Sequence, residues 1–151
     1  MTNQVRIEQV SWEQSRELLL EIRFRVFVDE QGVPPTMEED EHDPGALHLL
    51  ASDDSNRPIA CARLIQQGDT ALVGRMAVLK PYRGQNIGTR LLQELLRQAS
   101  HRGARTVQLH AQCSAEPFYR RQDFMPAGPV FEEAGILHQT MVRELREPGK
   151  T

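Results

Sequence analysis

The stretch Arg83-Gly84-Gln85-Asn86-Ile87-Gly88 decides the fold. Before it, Val73-Gly74-Arg75-Met76-Ala77-Val78-Leu79 reads as a strand, and after it Ile87, Leu91, Leu92, Leu95, Leu96 and Ala99 recur at helical spacing. The loop therefore joins a strand to a helix N-terminus. There, unpaired backbone N–H groups and the positive end of the helix dipole make a site for an anion, and glycine lets a phosphate approach the backbone closely. A pyrophosphate suits it. A glycine-bearing turn of this kind also occurs in α/β proteins that bind nothing there, so the rest of the chain has to supply the context.

Working outward towards the N-terminus, residues 4–8 alternate, with Val5 and Ile7 on one face of a strand. Ser11 and Gln14 form a capping-box pattern that opens a helix. Its apolar stripe is Leu18, Leu19, Ile22, Val26 and Phe27, with Glu13, Arg16, Glu17 and Arg23 on the wet side. It ends near Glu30-Gln31-Gly32, ahead of Pro34-Pro35. The acidic run over 38–43 reads either as a solvated loop or as a negative rim that attracts a cationic substrate. It lacks the alternating oxygen ligands and central glycine of a calcium loop, and no metal is expected. Residues 46–52 and 58–66 form a hairpin, and a third strand spans 70–79.

Towards the C-terminus, the helix after the loop stops near Gly103, and 106–110 forms a strand parallel to its predecessor through a right-handed crossover. Ser114 caps a short helix over 116–121. Residues 124–125 and 137–145 complete the sheet, with the turn-rich 126–135 between them. The class is α/β in the α+β sense. A single domain covers 1–146, with 147–151 as a frayed tail.

The chain has 151 residues, enough for one core. Its 18 basic and 21 acidic residues give a net charge of −3, which argues against a nucleic-acid binder held by phosphate neutralisation. Cys61 and Cys113 lack metal-ligand spacing and read as reduced packing residues, with a catalytic thiol at Cys113 as the sharper alternative. The sequence shows no apolar run of membrane-spanning length and no signal-like start, so a soluble cytoplasmic protein is expected.

With these elements in order, the chain resembles the GNAT family of acetyl-CoA-dependent N-acetyltransferases. That family's Arg/Gln-x-x-Gly-x-Gly/Ala pattern is matched by Arg83, Ile87 and Gly88, with Asn86 at the central glycine. Asparagine imitates glycine best in a left-handed conformation, so the loop shape is expected to survive. A second match is Phe118-Tyr119-Arg120-Arg121-Gln122-Asp123-Phe124, with Asp123 where glycine is usual. The segment 25–34, Leu109-His110-Ala111-Gln112 and the ending 131–138 are similar to the ElaA and YjcF-type branch. The resemblance implies a central mixed, mostly antiparallel sheet with splayed parallel strands, flanked by helices. It also implies acetyl-CoA as cofactor, and its members are often homodimers.

Acetyl transfer to an amine needs a held thioester, a neutral amine, a stabilised oxyanion and a proton for the departing thiolate. By resemblance, Met76, Ala77 and Val78 bind the pantetheine arm through main chain. Arg83, Gly84, Gln85, Asn86, Ile87, Gly88 and Thr89 hold the pyrophosphate, with Arg83 adding charge. Tyr119 is the candidate acid, because a phenol near pH 10 delivers a proton to a thiolate near 8.5 at a cost of about 2 kcal/mol. Many relatives use a glutamate on the strand before the loop, but residues 70–79 contain no acid. His110 is the candidate base or else a packed histidine, with Glu30, His48 and His138 as rivals. Arg25, Glu30, Gln31, His48 and His138 border the expected acceptor cleft, although an ion pair to Glu21 is the plainer use of Arg25. The acceptor is a small-molecule amine or a protein lysine. Non-catalytic acyl-CoA sensing and an acyl-homoserine-lactone-synthase-like acyl transfer are the alternatives.

Overall fold

A computed structural model describes residues 4–145. The proposed tail at 147–151 lies outside the described residues. In chain order the elements are β1 (Arg6–Val10), α1 (Trp12–Arg23), a π-helical extension (Phe24–Glu30), β2 (Leu47–Ser52), β3 (Pro58–Gln67), β4 (Thr70–Val78), α2 (Ile87–His101), β5 (Thr106–Gln112), α3 (Glu116–Arg121), β6 (Met125–Glu133) and β7 (Ile136–Glu144). Short 3-10 turns occupy Pro35–Met37, Asp43–Gly45, Lys80–Tyr82 and Cys113–Ala115.

The seven strands form one mixed sheet in the order β1-β2-β3-β4-β5-β7-β6. Every neighbouring pair is antiparallel except β4 with β5, the crossover carried by α2. Helices cover both faces, which is why β2 is buried at every position rather than at alternate ones. Leu49 and Ala51 join the larger core with Leu91, Leu92, Leu95 and Ala99 of α2. Leu50 faces the other way, with Trp12, Leu19, Ile22 and Val26 of the first helix. Leu91, Leu92 and Leu95 are wholly buried, and each contributes about 1.5–3 kcal/mol.

Ser11 accepts the Gln14 backbone N–H at 3.2 Å and so starts α1. The expected stripe needs two changes: Leu18 is exposed, and Arg23, placed on the wet side from its charge alone, is 1 % exposed. Its guanidinium lies 5.1 Å over Trp12 and makes a two-pronged bond to Asp43, at 3.1 and 3.0 Å.

Asp43 comes from the acidic run, which is therefore neither a simple solvated loop nor an open rim. Arg63 bonds Asp40 at 2.7 Å and Asp43 at 3.0 Å, and Arg75 reaches Asp40 at 3.2 Å. Burial works against ionisation of Asp43, yet the hydrogen bonds from Arg23, the Asp40 backbone and Arg63 hold its carboxyl below the usual range. His48 also joins this cluster, its Nε2 donating to the Asp43 carbonyl at 2.8 Å.

Two further expectations are corrected near the C-terminus. Ser114 lies in a 3-10 turn, and α3 starts from Ala115 without a side-chain cap. The stretch read as turn-rich is mostly β6, an edge strand with an irregularity between Pro126 and Val130. At an edge a proline need not donate to a ladder, so Pro126 and Pro129 are tolerated there.

Candidate active site

The site starts from a failure of pairing. β4 and β5 are in register from Thr70↔Thr106 to Val73↔Leu109 and no further. Beyond that point each keeps its other neighbour, β4 pairing with β3 through Ala60↔Val78 and β5 with β7 through Gln112↔His138. The two strands thus diverge while both remain anchored. The β3 register shifts between Cys61 and Arg63, and Arg75 on the opposite strand sits at φ 50. A bulge of this kind bends its strand and raises its twist, which turns residues 74–78 away from β5.

Arg75 holds its left-handed conformation through side-chain bonds to the carbonyls of Glu38 (3.2 Å) and Met37 (3.1 Å) and to Asp40. The ion network and the divergence of the strands are therefore one construction. Without Arg75's partners the bulge would lack its support.

The phosphate-loop stretch lies at the open end of this wedge. Gly84 is at φ 79, and Asn86 is left-handed at φ 63, ψ 17, as expected of an asparagine standing in for glycine. Asp123, the second substitution for glycine, is likewise at φ 67. Asn86 makes no side-chain cap, so the first N–H groups of α2 point outward without one. A Cβ on Gly84 would meet nothing within 4 Å, and one on Gly88 would stand 3.7 Å from Phe118.

A cavity of about 720 Å³ fills the wedge, within the usual range for a ligand site. Of the residues singled out from sequence, it brings together Gln31, Met76, Ala77, Val78, Arg83, Gly88, His110, Tyr119 and His138. Gly84, Gln85, Asn86, Ile87 and Thr89 form the loop and first turn beside it, Ile87 being buried in the core. Three lie elsewhere. Arg25 is bonded to Glu21 at 2.8 Å, Glu30 clasps Arg83 at 2.7 and 2.9 Å, and His48 is buried against Trp12. Arg83 also donates from Nε to the Val78 carbonyl at 2.9 Å, so its charge is already engaged.

Tyr119 projects from α3 and packs edge-to-face on Phe118 and Phe124. Loss of water around it pushes its phenol up to about 12. His110 stands at the free end of β5, its Nδ1 3.3 Å from Glu133 Oε1 and its ring edge-on to Phe131. His138 stacks on Phe131, with Nδ1 bonded to the Ile136 carbonyl at 2.7 Å and Nε2 3.8 Å from Glu133 Oε2. Glu133 thus joins the two histidines, a role its sequence setting did not signal. Glu38 also lines the cavity and was hidden in the acidic run. Gln112 Nε2 donates to Gln31 Oε1 at 2.8 Å, tying the end of β5 to the end of the first helix.

Cys61 is buried, with Sγ 3.5 Å from the Arg75 carbonyl, and burial pushes its thiol up to about 11. Burial and the neighbouring Glu116 also raise Cys113, which does not line the cavity. Among the described residues, no group of three or more His, Cys, Asp and Glu side chains is arranged to hold a metal ion. Nor is any helix among them long and apolar enough to cross a membrane.

The arrangement fits an acyl thioester on a diphosphate-bearing arm: unpaired strand edges for the amide-rich arm, uncapped amides for the diphosphate, and a phenol and two histidines in the same cavity. The family model described as the acetyltransferase (GNAT) domain matches residues 7–145. The protein ElaA of Escherichia coli (strain K12) is 32% identical over 132 residues, spanning 84% of this chain and 86% of its own. The uncharacterized N-acetyltransferase YjcF of Bacillus subtilis (strain 168) is 31% identical over 124 residues, 82% of this chain and 88% of its own. The crystal structure of an acyl-CoA N-acyltransferase from Pseudomonas aeruginosa superposes with a TM-score of 0.83 at 27% identity, covering 93% of this chain and 99% of that one.

Proposed function

The chain belongs to the GNAT family of acetyltransferases, and we propose that it transfers the acetyl group of acetyl-CoA directly to a primary amine, on a small molecule or an exposed lysine. The observation that carries this reading is the divergence of β4 from β5 beyond Val73↔Leu109, facing the uncapped start of α2 across one cavity. Bound there, acetyl-CoA supplies an activated acetyl carbon and a thiolate leaving group.

The chain's own residues then do four things. The backbone N–H groups of residues 84–89 bind the diphosphate, at the positive end of the α2 dipole. The unpaired edge of Met76, Ala77 and Val78 orients the arm through main chain and offers an N–H to the carbonyl oxygen. His110, steered by Glu133, takes the proton that leaves the amine as nitrogen bonds to carbon. Tyr119 gives its phenolic proton to sulfur as the carbon–sulfur bond breaks.

At about 12 the phenol stays protonated throughout the neutral range. The raised value makes proton delivery costlier than the roughly 2 kcal/mol of an ordinary tyrosine, which favours transfer concerted with C–S cleavage. Direct transfer is supported by the cysteines: Cys61 is sealed and poorly acidic, and Cys113 is off the cavity.

The test is release of free thiol from acetyl-CoA across a panel of amines. Tyr119→Phe should lower kcat by about 10²- to 10⁴-fold, with acetyl-CoA still bound as judged by calorimetry. Turnover unaffected by Tyr119→Phe would remove the acid. Binding without turnover of any amine would leave an acyl-CoA sensor.

A further inference from the structure

The free edge of β4 carries a tie that none of the four chemical roles uses. Arg83 donates from Nε to the Val78 carbonyl at 2.9 Å and closes a two-pronged bond on Glu30 at 2.9 and 2.7 Å. Val78 is the last residue of β4, and its register with Ala60 tells where that carbonyl points. The next residue, Leu79, sends its N–H to the Ile59 carbonyl at 2.9 Å, towards β3. Backbone groups of successive strand residues alternate sides, so those of Val78 face away from β3, on the side that β5 has already left. Arg83 therefore caps a carbonyl on the same edge that is to orient the thioester arm.

Glu30 is a held anchor for this tie. It lies outside the cavity lining, at the end of the π-helical extension, a helix form that recurs at functional sites. Its neighbour Gln31 accepts from Gln112, at the end of β5, at 2.8 Å. Two consecutive residues at the end of the first helix thus hold the two sides of the wedge, Glu30 through Arg83 on the β4 side and Gln31 on the β5 side.

Resting on the acetyltransferase reading, we propose that the Glu30–Arg83 clasp is a positioning element for the thioester arm, acting through the Val78 main chain, and that Arg83 is not a ligand of the diphosphate. Glu30 neutralises the guanidinium, and its two oxygens and the Val78 carbonyl engage both ends of the fork and Nε. Turning Arg83 to the diphosphate would leave the Glu30 carboxylate unpaired near a second anion and take the donor from the Val78 carbonyl. The amides of residues 84–89 serve the diphosphate without it. What the clasp supplies is a strand end already in place when the arm arrives, which lowers the cost of ordering it on binding. The sequence expectation that Arg83 adds charge at the diphosphate gives way to this role.

The experiment is calorimetry with two ligands: CoA, and its diphosphate-bearing nucleotide half, which lacks the arm. Arg83→Met should weaken CoA by about tenfold or more, the scale of hydrogen bonds to a charged group, and change the nucleotide half by less than about twofold. Retained binding of the nucleotide half also shows that the variant is folded. Arg83→Lys keeps the charge but loses the fork and the Nε–H, so it should weaken CoA as Arg83→Met does. Glu30→Gln releases the charge of Arg83 and loosens the clasp, and it should weaken CoA while sparing the nucleotide half.

Equal weakening of CoA and the nucleotide half in Arg83→Met would overturn the positioning role, because a diphosphate ligand acts on both. Arg83→Lys binding CoA as the wild type does, or Glu30→Gln binding it more tightly, would overturn it on CoA alone. If CoA binds in this Arg83-dependent way and no amine is acetylated, the transfer reading fails while the clasp stands. Acetylation of an amine with a KM for acetyl-CoA unmoved by Arg83→Met would sink the clasp and leave the transfer reading intact.

Discussion

Replacing Asp43 by alanine should be among the most damaging single changes in this protein. The Arg23–Asp43 pair is 1 % and 0 % exposed at its two side chains, so solvent screens almost none of it. Asp43 also receives Arg63 at 3.0 Å and the Asp40 backbone N–H at 3.0 Å. Removing it strands the buried Arg23 guanidinium, a change that costs about 3–5 kcal/mol. For a domain of this length each kcal/mol moves the melting temperature by about 2–4 °C, so Asp43→Ala should melt lower by about 6–20 °C.

The companion variant separates charge burial from mere packing. In Arg23→Met combined with Asp43→Leu, no buried cation is left at position 23 to need a partner, and Arg63 keeps Asp40 at 2.7 Å. That double variant should regain more than half of the lost stability in urea unfolding. A loss under about 1 kcal/mol in the single variant, or a double variant no more stable than the single, would refute the reasoning. Because Arg75 shares Asp40 with this network, Asp43→Ala should also weaken acetyl-CoA binding through the bulge on β4.

Asn86 at φ 63 predicts that Asn86→Gly is close to neutral, whereas Asn86→Val loses about 1–2 kcal/mol and with it much of the acetyl-CoA affinity, measurable by urea unfolding and calorimetry. Gly88→Ala should fold with no lower melting temperature, since the added methyl makes an ordinary 3.7 Å contact with Phe118 inside a helix. Burial holds His48 neutral below its ordinary pKa near 6.5, so the unfolded chain binds that proton first. Stability should be whole above about pH 6.5 and fall as pH drops below it, with a further loss below about pH 4 as Asp40 and Asp43, both held below their ordinary range, take up protons. Glu38, raised by burial, works in the opposite direction. Urea midpoints that stay level from pH 7 to 5 would contradict the assignment for His48.

Much of this was legible in the sequence because the informative signals were local. The α2 period, the glycine and asparagine of the loop, Ser11 and the β2–β3 turn each depend on neighbours a few residues away. Of the two departures from the family's glycines, Asn86 read correctly, since left-handed geometry is a property of the residue and its loop. What stayed hidden depends on partners far along the chain. Arg23 reads as a wet-side charge until Asp43, twenty residues on, is folded against it. Glu38 and Asp43 read as part of a solvated run for the same reason, and Glu133 becomes chemically interesting only when β6 lies beside β7 and brings it to His110 and His138. The β6 strand was missed because Pro126, Gly128 and Pro129 signal turns, and an edge strand with a bulge obeys weaker rules than a central one.

The measurement that bears most directly on the central claim is a crystal structure of the protein grown with acetyl-CoA. The diphosphate is predicted on the backbone amides of residues 84–89, the pantetheine arm against β4 beyond Val73, and the thioester sulfur within hydrogen-bonding reach of the Tyr119 hydroxyl. Acetyl-CoA bound away from the wedge between β4 and β5, or lying in it with its sulfur remote from Tyr119, would contradict the account.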